Sequence, residues 1–332
     1  MSNGGEAALF GALAGAEIHD LVIDKPVIHV VSDNDATPYV AVVGGFDLGS
    51  SHTNITVNEP QITMKVSDTA IDSRPSAWAS VSGLVAGGWS NTVKNCSVNG
   101  GSITLDAESV KVHGGEYYVG GIMGECYSFM YDNTATVTIT VNAEDKSKAA
   151  ADTDMLVYVG GAGGTNTTQQ GSKINAKINV SVKKPVGSSK VSIGGLTGSQ
   201  RYQIAENNTI NTEITTDCEL DPTHGKLYTG KVIGSTNVPY CIVQMIFADP
   251  DSAVYSGCRN NNAAVTHNGA KVTVNKGEVL MVGGEVLSYI ANGDITADGV
   301  AYASNIDEVI AEYGSAVPTS FLQKSVTVLI DE

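Results

Sequence analysis

The chain has 332 residues, of which 42% are hydrophobic, 37 are Gly and only 6% are aromatic. Its net charge is −16, with 19 Lys and Arg against 35 Asp and Glu. That balance argues against a surface built to neutralise nucleic-acid phosphates or to lie on an anionic membrane, and no stretch has the roughly 18 consecutive apolar residues of a membrane span.

The start, Met1 to Gly5, has neither the basic nor the apolar region of a signal peptide. The chain is therefore expected to be a piece of a longer protein, with a cytoplasmic protein as the alternative. The repeat pattern begins at once. Leu9-Phe10-Gly11-Ala12-Leu13-Ala14-Gly15 is followed by the strand-like run Ile18 to Ile23.

A glycine phrase then returns at Val42-Val43-Gly44-Gly45-Phe46, Val119-Gly120-Gly121-Ile122-Met123-Gly124, Val159 to Gly164 and Ile193 to Gly198. Looser copies begin at Val81, Thr229 and Val282. Taking the second glycine as a marker gives Gly11, Gly45, Gly83, Gly121, Gly161 and Gly195, then Lys231 in a degenerate copy. The spacings are 34, 38, 38, 40, 34 and 36 residues. A period of this length signals a solenoid or an array.

Each unit has one grammar. The glycine phrase leads into polar residues and then into alternating runs such as Ile62-Thr63-Met64-Lys65-Val66, Val137-Thr138-Ile139-Thr140-Val141 and Ile174 to Val182. Period-two alternation rich in Val, Ile and Thr marks half-buried strands. A further strand precedes each phrase, as at Tyr117-Tyr118-Val119 and Leu156 to Val159. The glycines suit positive φ and close approach, and Asn95, Asn133, Asn207 and Asn208 suit left-handed bends.

Variable insertions fall at one phase of the repeat: Ser32 to Pro38, Asp68 to Ser76, Asp106 to Glu116, Ala143 to Asp154 and Lys183 to Ser189. They are expected along one edge. Beyond Lys231 the pattern decays. Ser304 to Gly314 reads as one helix, with a cap residue, early acids and a terminal glycine. Ser325 to Ile330 reads as a last strand.

The expected architecture is all-β. It is a right-handed parallel β-helix of about eight coils of three short strands over 1–300, with a C-terminal helix-and-strand cap over 301–332. A β-propeller fits less well, because its blades need four strands.

The phrase Gly194-Gly195-Leu196-Thr197-Gly198 with Asn208-Thr209-Ile210, and Gly83-Leu84-Val85-Ala86-Gly87 with Asn95-Cys96, resembles the glycine-rich GLUG repeat. The resemblance covers most of 8–300 and departs at Lys231 and Glu285. It implies a bacterial cell-surface or secreted protein, adhesin-like, in which the repeat is scaffold.

Chemistry is sparse. The pairs Asp33/Asp35, Asp152/Asp154 and Asp249/Asp251 are oxygen-rich and suit Ca²⁺, but none continues into a full ligand set. No cofactor or metal is expected. Gly-x-Ser-x-Gly is absent and the six histidines show no i,i+4 spacing. The five cysteines form no C-x-x-C pair and read as small core residues. Aromatic residues are the stronger lead, since sugars stack on exposed rings. Tyr117, Tyr118, Tyr127, Tyr131 and Trp89, with Arg201 for a sugar carboxylate, are the candidate ligand-binding residues. The leading expectation is a noncatalytic surface or secreted solenoid that binds a glycan or extracellular protein. A polysaccharide-active lyase or hydrolase and a self-assembling subunit, homo-oligomeric or joined end to end, are the alternatives.

Overall fold

The computed structural model describes residues 5–32, 38–67, 77–109, 115–146, 154–166, 168–200, 205–206, 208–230, 233–236, 259–260, 265–267 and 270–272. The expected cap over 301–332 lies outside them. Within them the chain is all-β, built of parallel coils stacked one on another. Each full coil contributes to three sheets in turn. In the fourth coil the first sheet takes Gly115–Gly120, the second Met123–Tyr131 and the third Thr134–Asp145. Among the described residues the three sheets hold 7, 11 and 12 strands.

Register explains the packing. On the third sheet Ile28, Ile62, Ile103, Ile139, Ile178 and Ile214 pair rung to rung. All but Ile28 are buried. One inward position is thus filled by one side chain in six successive coils. Rungs lie about 4.8 Å apart, so equal shapes stack with equal rotamers. The outward positions between them carry polar residues, as alternation requires.

The glycine phrase is a corner where close approach matters more than dihedral freedom. Among the described residues the phrase glycines from Gly44 to Gly234 are without positive φ, and only Gly15, closing the first copy, has it at 60°. A Cβ on Gly83 would sit 2.3 Å from the Gly121 carbonyl oxygen, one on Gly121 2.1 Å from that of Gly161, and one on Gly161 2.2 Å from that of Gly195. Each backbone rests on the next with no room for a methyl group. The copy at 42–46 is out of phase: Val40 pairs with Val81 and Gly44 with Val85, which sets Val42, not Gly45, level with Gly83.

Positive φ sits elsewhere, in columns. Asp20, Asn54, Asn95 and Asp132 have φ of 55°, 55°, 53° and 56°, and Gly171 continues the column at 66°. Asn95 meets its expectation. Asn133 and Asn208 do not, because their amides are turned inward to bond the preceding coil. Asn207 lies outside the described residues.

The first sheet is buried on both sides. Tyr117 and Val119 point into the core, and on the other side Gly124, Gly164 and Gly198 of the second sheet lie against first-sheet backbone or Ser80. Ser80 and Ser192 donate hydroxyl bonds to the carbonyls of Ala86 and Gly198 across that contact. The insertions leave where the third sheet ends and the first begins, after Ser32, Ser67, Ser109, Asp145 and Lys184. Part of what reads as insertion, Asp106 to Ser109 and Ala143 to Asp145, is strand.

Candidate functional site

The outer side of the second sheet carries an aromatic patch. Leu48, Trp89 and Tyr127 occupy one outward position in the second, third and fourth coils. Phe129 and Tyr131 follow at the next two outward positions of the fourth strand. Trp89 is 50% exposed, Leu48 41% and Phe129 38%. Tyr127 and Tyr131 are half-buried.

Trp89 is held up by backbone. The third strand has one extra residue between the pairs Trp89–Tyr127 and Thr92–Phe129. That bulge, with Ser90 at φ 58°, points Asn91 inward, where its amide accepts from Ser50 N–H at 2.9 Å and donates to Asp47 O at 3.2 Å. Bulges commonly re-aim a neighbouring side chain. The Trp89 ring then meets Phe46 edge-on at 5.7 Å, and Phe46 meets Tyr39 at 5.1 Å. Polar groups border the patch: Tyr131 pairs in register with Lys94 on one side and with Gln170 on the other.

Tyr117 and Tyr118 sit differently. Tyr117 is wholly buried in the core. Tyr118 is 1% exposed, between the first and second sheets. Its hydroxyl donates to the Glu116 carboxylate, and burial drives its phenol far above the ordinary value. Its ring stacks on Tyr158 at 5.2 Å and packs against Trp78 at 5.6 Å. The Lys190 ammonium lies 5.8 Å from the Tyr158 ring and 5.3 Å from the Tyr228 ring. Rings from Trp89 through Phe46, Tyr39, Trp78 and Tyr118 to Tyr158 are thus in unbroken contact. Most of that row glues sheets together and offers no open ring face. Trp89, Tyr127 and Tyr131 come together on the surface, joined by Phe129, which is not among the candidates read from the sequence. Its place in the alternation, two residues from both Tyr127 and Tyr131, was the available signal. Arg201 lies outside the described residues.

A second cluster lies on the third sheet beside the insertion edge. There a groove of about 510 Å³ is lined by Lys65, Asp106, Glu108, Asn142, Glu144 and Lys183, among others. Glu108 and Glu144 pair in register. Lys146 bridges them at 3.0 and 3.4 Å, and the bond it donates to Glu108 holds its ammonium above the usual lysine value. All three side chains are 43–46% exposed, so the cluster is solvated.

Among the described residues no group of three or more His, Cys, Asp or Glu is placed to hold a metal ion. Of the Asp-x-Asp pairs only Asp154 is described. No described helix is long and apolar enough to cross a membrane. Comparison with family models, with curated proteins and with solved structures found no match.

Proposed function

We propose that the chain is a noncatalytic β-solenoid that binds a glycan across Trp89, Tyr127, Phe129 and Tyr131. The observation that carries this reading is the gathering of four rings on one outer sheet surface, spread over adjacent coils. Aromatic faces stack on the C–H faces of sugars, and polar groups beside them, here Lys94, Thr92 and Gln170, suit hydroxyls. Trp89 is braced by Phe46, so little freedom is lost when a ligand settles on it. The resemblance to GLUG repeats favours a cell-surface or secreted setting.

The test is a glycan array followed by calorimetry. Binding to one glycan class is expected, weakened at least tenfold by Trp89→Ala and by Phe129→Ala with thermal melting unchanged. An array with no positive glycan, or affinity indifferent to both substitutions, removes the reading.

A polysaccharide-active enzyme is favoured by one observation, the carboxylate and lysine groove around Glu108 and Glu144. Release of reducing ends from a polysaccharide panel, abolished by Glu108→Gln or Glu144→Gln, would make this the better reading.

A further inference from the structure

The third sheet encloses an ion pair that neither candidate site uses. Thr134–Asp145 and Lys173–Lys184, of the fourth and fifth coils, are neighbouring strands in register up to Glu144 with Lys183. Asp145 and Lys184 are the next residue of each. They fall on the same side of the sheet as Ala143 and Val182, which line the core. The Lys184 side chain therefore points inward, where its ammonium meets Asp145 Oδ2 at 2.8 Å. The two side chains are 1% and 5% exposed. Lys25, Lys146 and Lys177 also pair with carboxylates, but at the exposed surface.

A buried ion pair repays its lost hydration only when the remaining protons and lone pairs are also bonded. An ammonium has three donors. Among the described residues Asp145 is the one acceptor that Lys184 reaches, so two of those donors find no partner there. An amide between the two side chains removes both charges and leaves one donor and one acceptor. Strand pairing also holds the amine against the carboxyl in the folded chain, which is the condition under which an intramolecular reaction gains most.

We propose that Lys184 and Asp145 condense to a side-chain amide that joins the fourth coil to the fifth. A proton passes from Nζ to Oδ2 along their hydrogen bond, leaving an amine and a carboxylic acid. The Nζ lone pair attacks Cγ and the N–C bond forms. One C–O bond of Cγ breaks, and its oxygen departs as water with the transferred proton and a second proton from the nitrogen. Nothing is oxidised or reduced and no co-reactant is needed. The bond closes a covalent ring at the corner where the insertions leave, so that a pull on those loops cannot part the two coils there.

Mass spectrometry of the full 332-residue chain, unfolded in urea after purification, tests this. The expected intact mass is one water below that of the sequence. The expected digest contains one branched peptide joining Asp145 to Lys184. Lys184→Arg keeps a cation beside Asp145 but has no amine to react, and is expected at its full sequence mass, as is Asp145→Ala. A full mass for the unaltered chain overturns the proposal and leaves an ion pair only. A missing water without the branched peptide, or one that persists in Lys184→Arg, overturns it equally.

Discussion

The side chains of Asp47 and His52 are wholly shielded inside the second coil, with Asp47 Oδ2 and His52 Nε2 2.5 Å apart. A charge left alone at such a place has no water to replace its partner. His52→Ala is expected to lower unfolding stability by about 3–5 kcal/mol. Asp47→Leu with His52→Leu is expected to cost less than either truncation, as urea titration will show. Of the described thiols, Cys96 and Cys126 sit in the core as the sequence suggested, and Cys218 is only partly buried against it. Cys96 is buried, donates weakly to the carbonyls of Lys94 and His52, and burial pushes its thiol up to about 11. The thiolate, which is the nucleophile, is then scarce until the pH approaches that value. Iodoacetamide at pH 8 is expected to spare Cys96 in the folded chain and to label it in urea, read by peptide mass. The cysteines were legible because small apolar-compatible residues suit a narrow core. The Asp47–His52 pair was not, because Phe46-Asp47-Leu48 alternates like any strand and says nothing about which side faces inward. Tyr118 shows the same limit: it points away from its own coil's core, and only the second sheet folded over it makes it buried.

Strands and bends were the most legible level, because a period-two pattern restarted by glycine every coil leaves few arrangements that bury it. Reasons for individual residues were less so. Asn133 reads as a bend former, yet its carbonyl oxygen accepts from Cys96 N–H at 2.8 Å and its amide donates to Val93 O at 2.9 Å. Asn208 repeats the clamp on Ser172 N–H and Gln169 O, and Asn91 does so one corner earlier. Each joins a coil to the one before it at a buried corner. Asn133→Ala leaves a buried donor and acceptor without it, at an expected cost of about 2–4 kcal/mol from two such groups, measured by thermal or urea unfolding. A more exposed bend is held by charge. The Asp221 carboxylate accepts from the backbone of Gly187, Thr223 and His224, which lowers its pKa to about 2. A depressed carboxyl pKa stabilises above the unfolded value of about 3.9 and ceases to do so as pH falls towards 2. The Thr223 and His224 amide resonances are expected to titrate with a midpoint near pH 2. A midpoint near 4 would show that the turn does not hold the charge.

At the level of the whole molecule the repeat period announced stacked coils, since units that cannot bury their apolar side alone must stack. What the period could not fix was phase. The copy at 42–46 keeps phase with Gly11 in the first coil but slides by three residues against the third, where the strand register, read from Val40 against Val81, decides. Nor could it reveal that the exposed rings lie on the second sheet while the loops leave at another corner. A quasi-one-dimensional stack should be firmest in its middle. Amides of Ser97–Ser109 and Thr134–Asp145, paired on both edges, are expected to exchange slowest, and those of Val27–Ser32 fastest among the third-sheet strands of the first four coils. Hydrogen exchange resolved by peptide will rank them.

The fixed corner at which the loops depart has a wider consequence. Successive coils differ in length, with 41 residues from Val40 to Val81 and 34 from Tyr158 to Ser192, yet every coil advances the axis by the same single rung. Distance along the molecule is therefore counted in rungs and not in residues. Any outward side chain stands at a whole number of steps of about 4.8 Å from its counterparts. A polymer lying lengthwise on such a surface meets a ruler whose marks are individually lettered, so that exchanging one outward residue rewrites one mark and leaves the spacing of all the others intact.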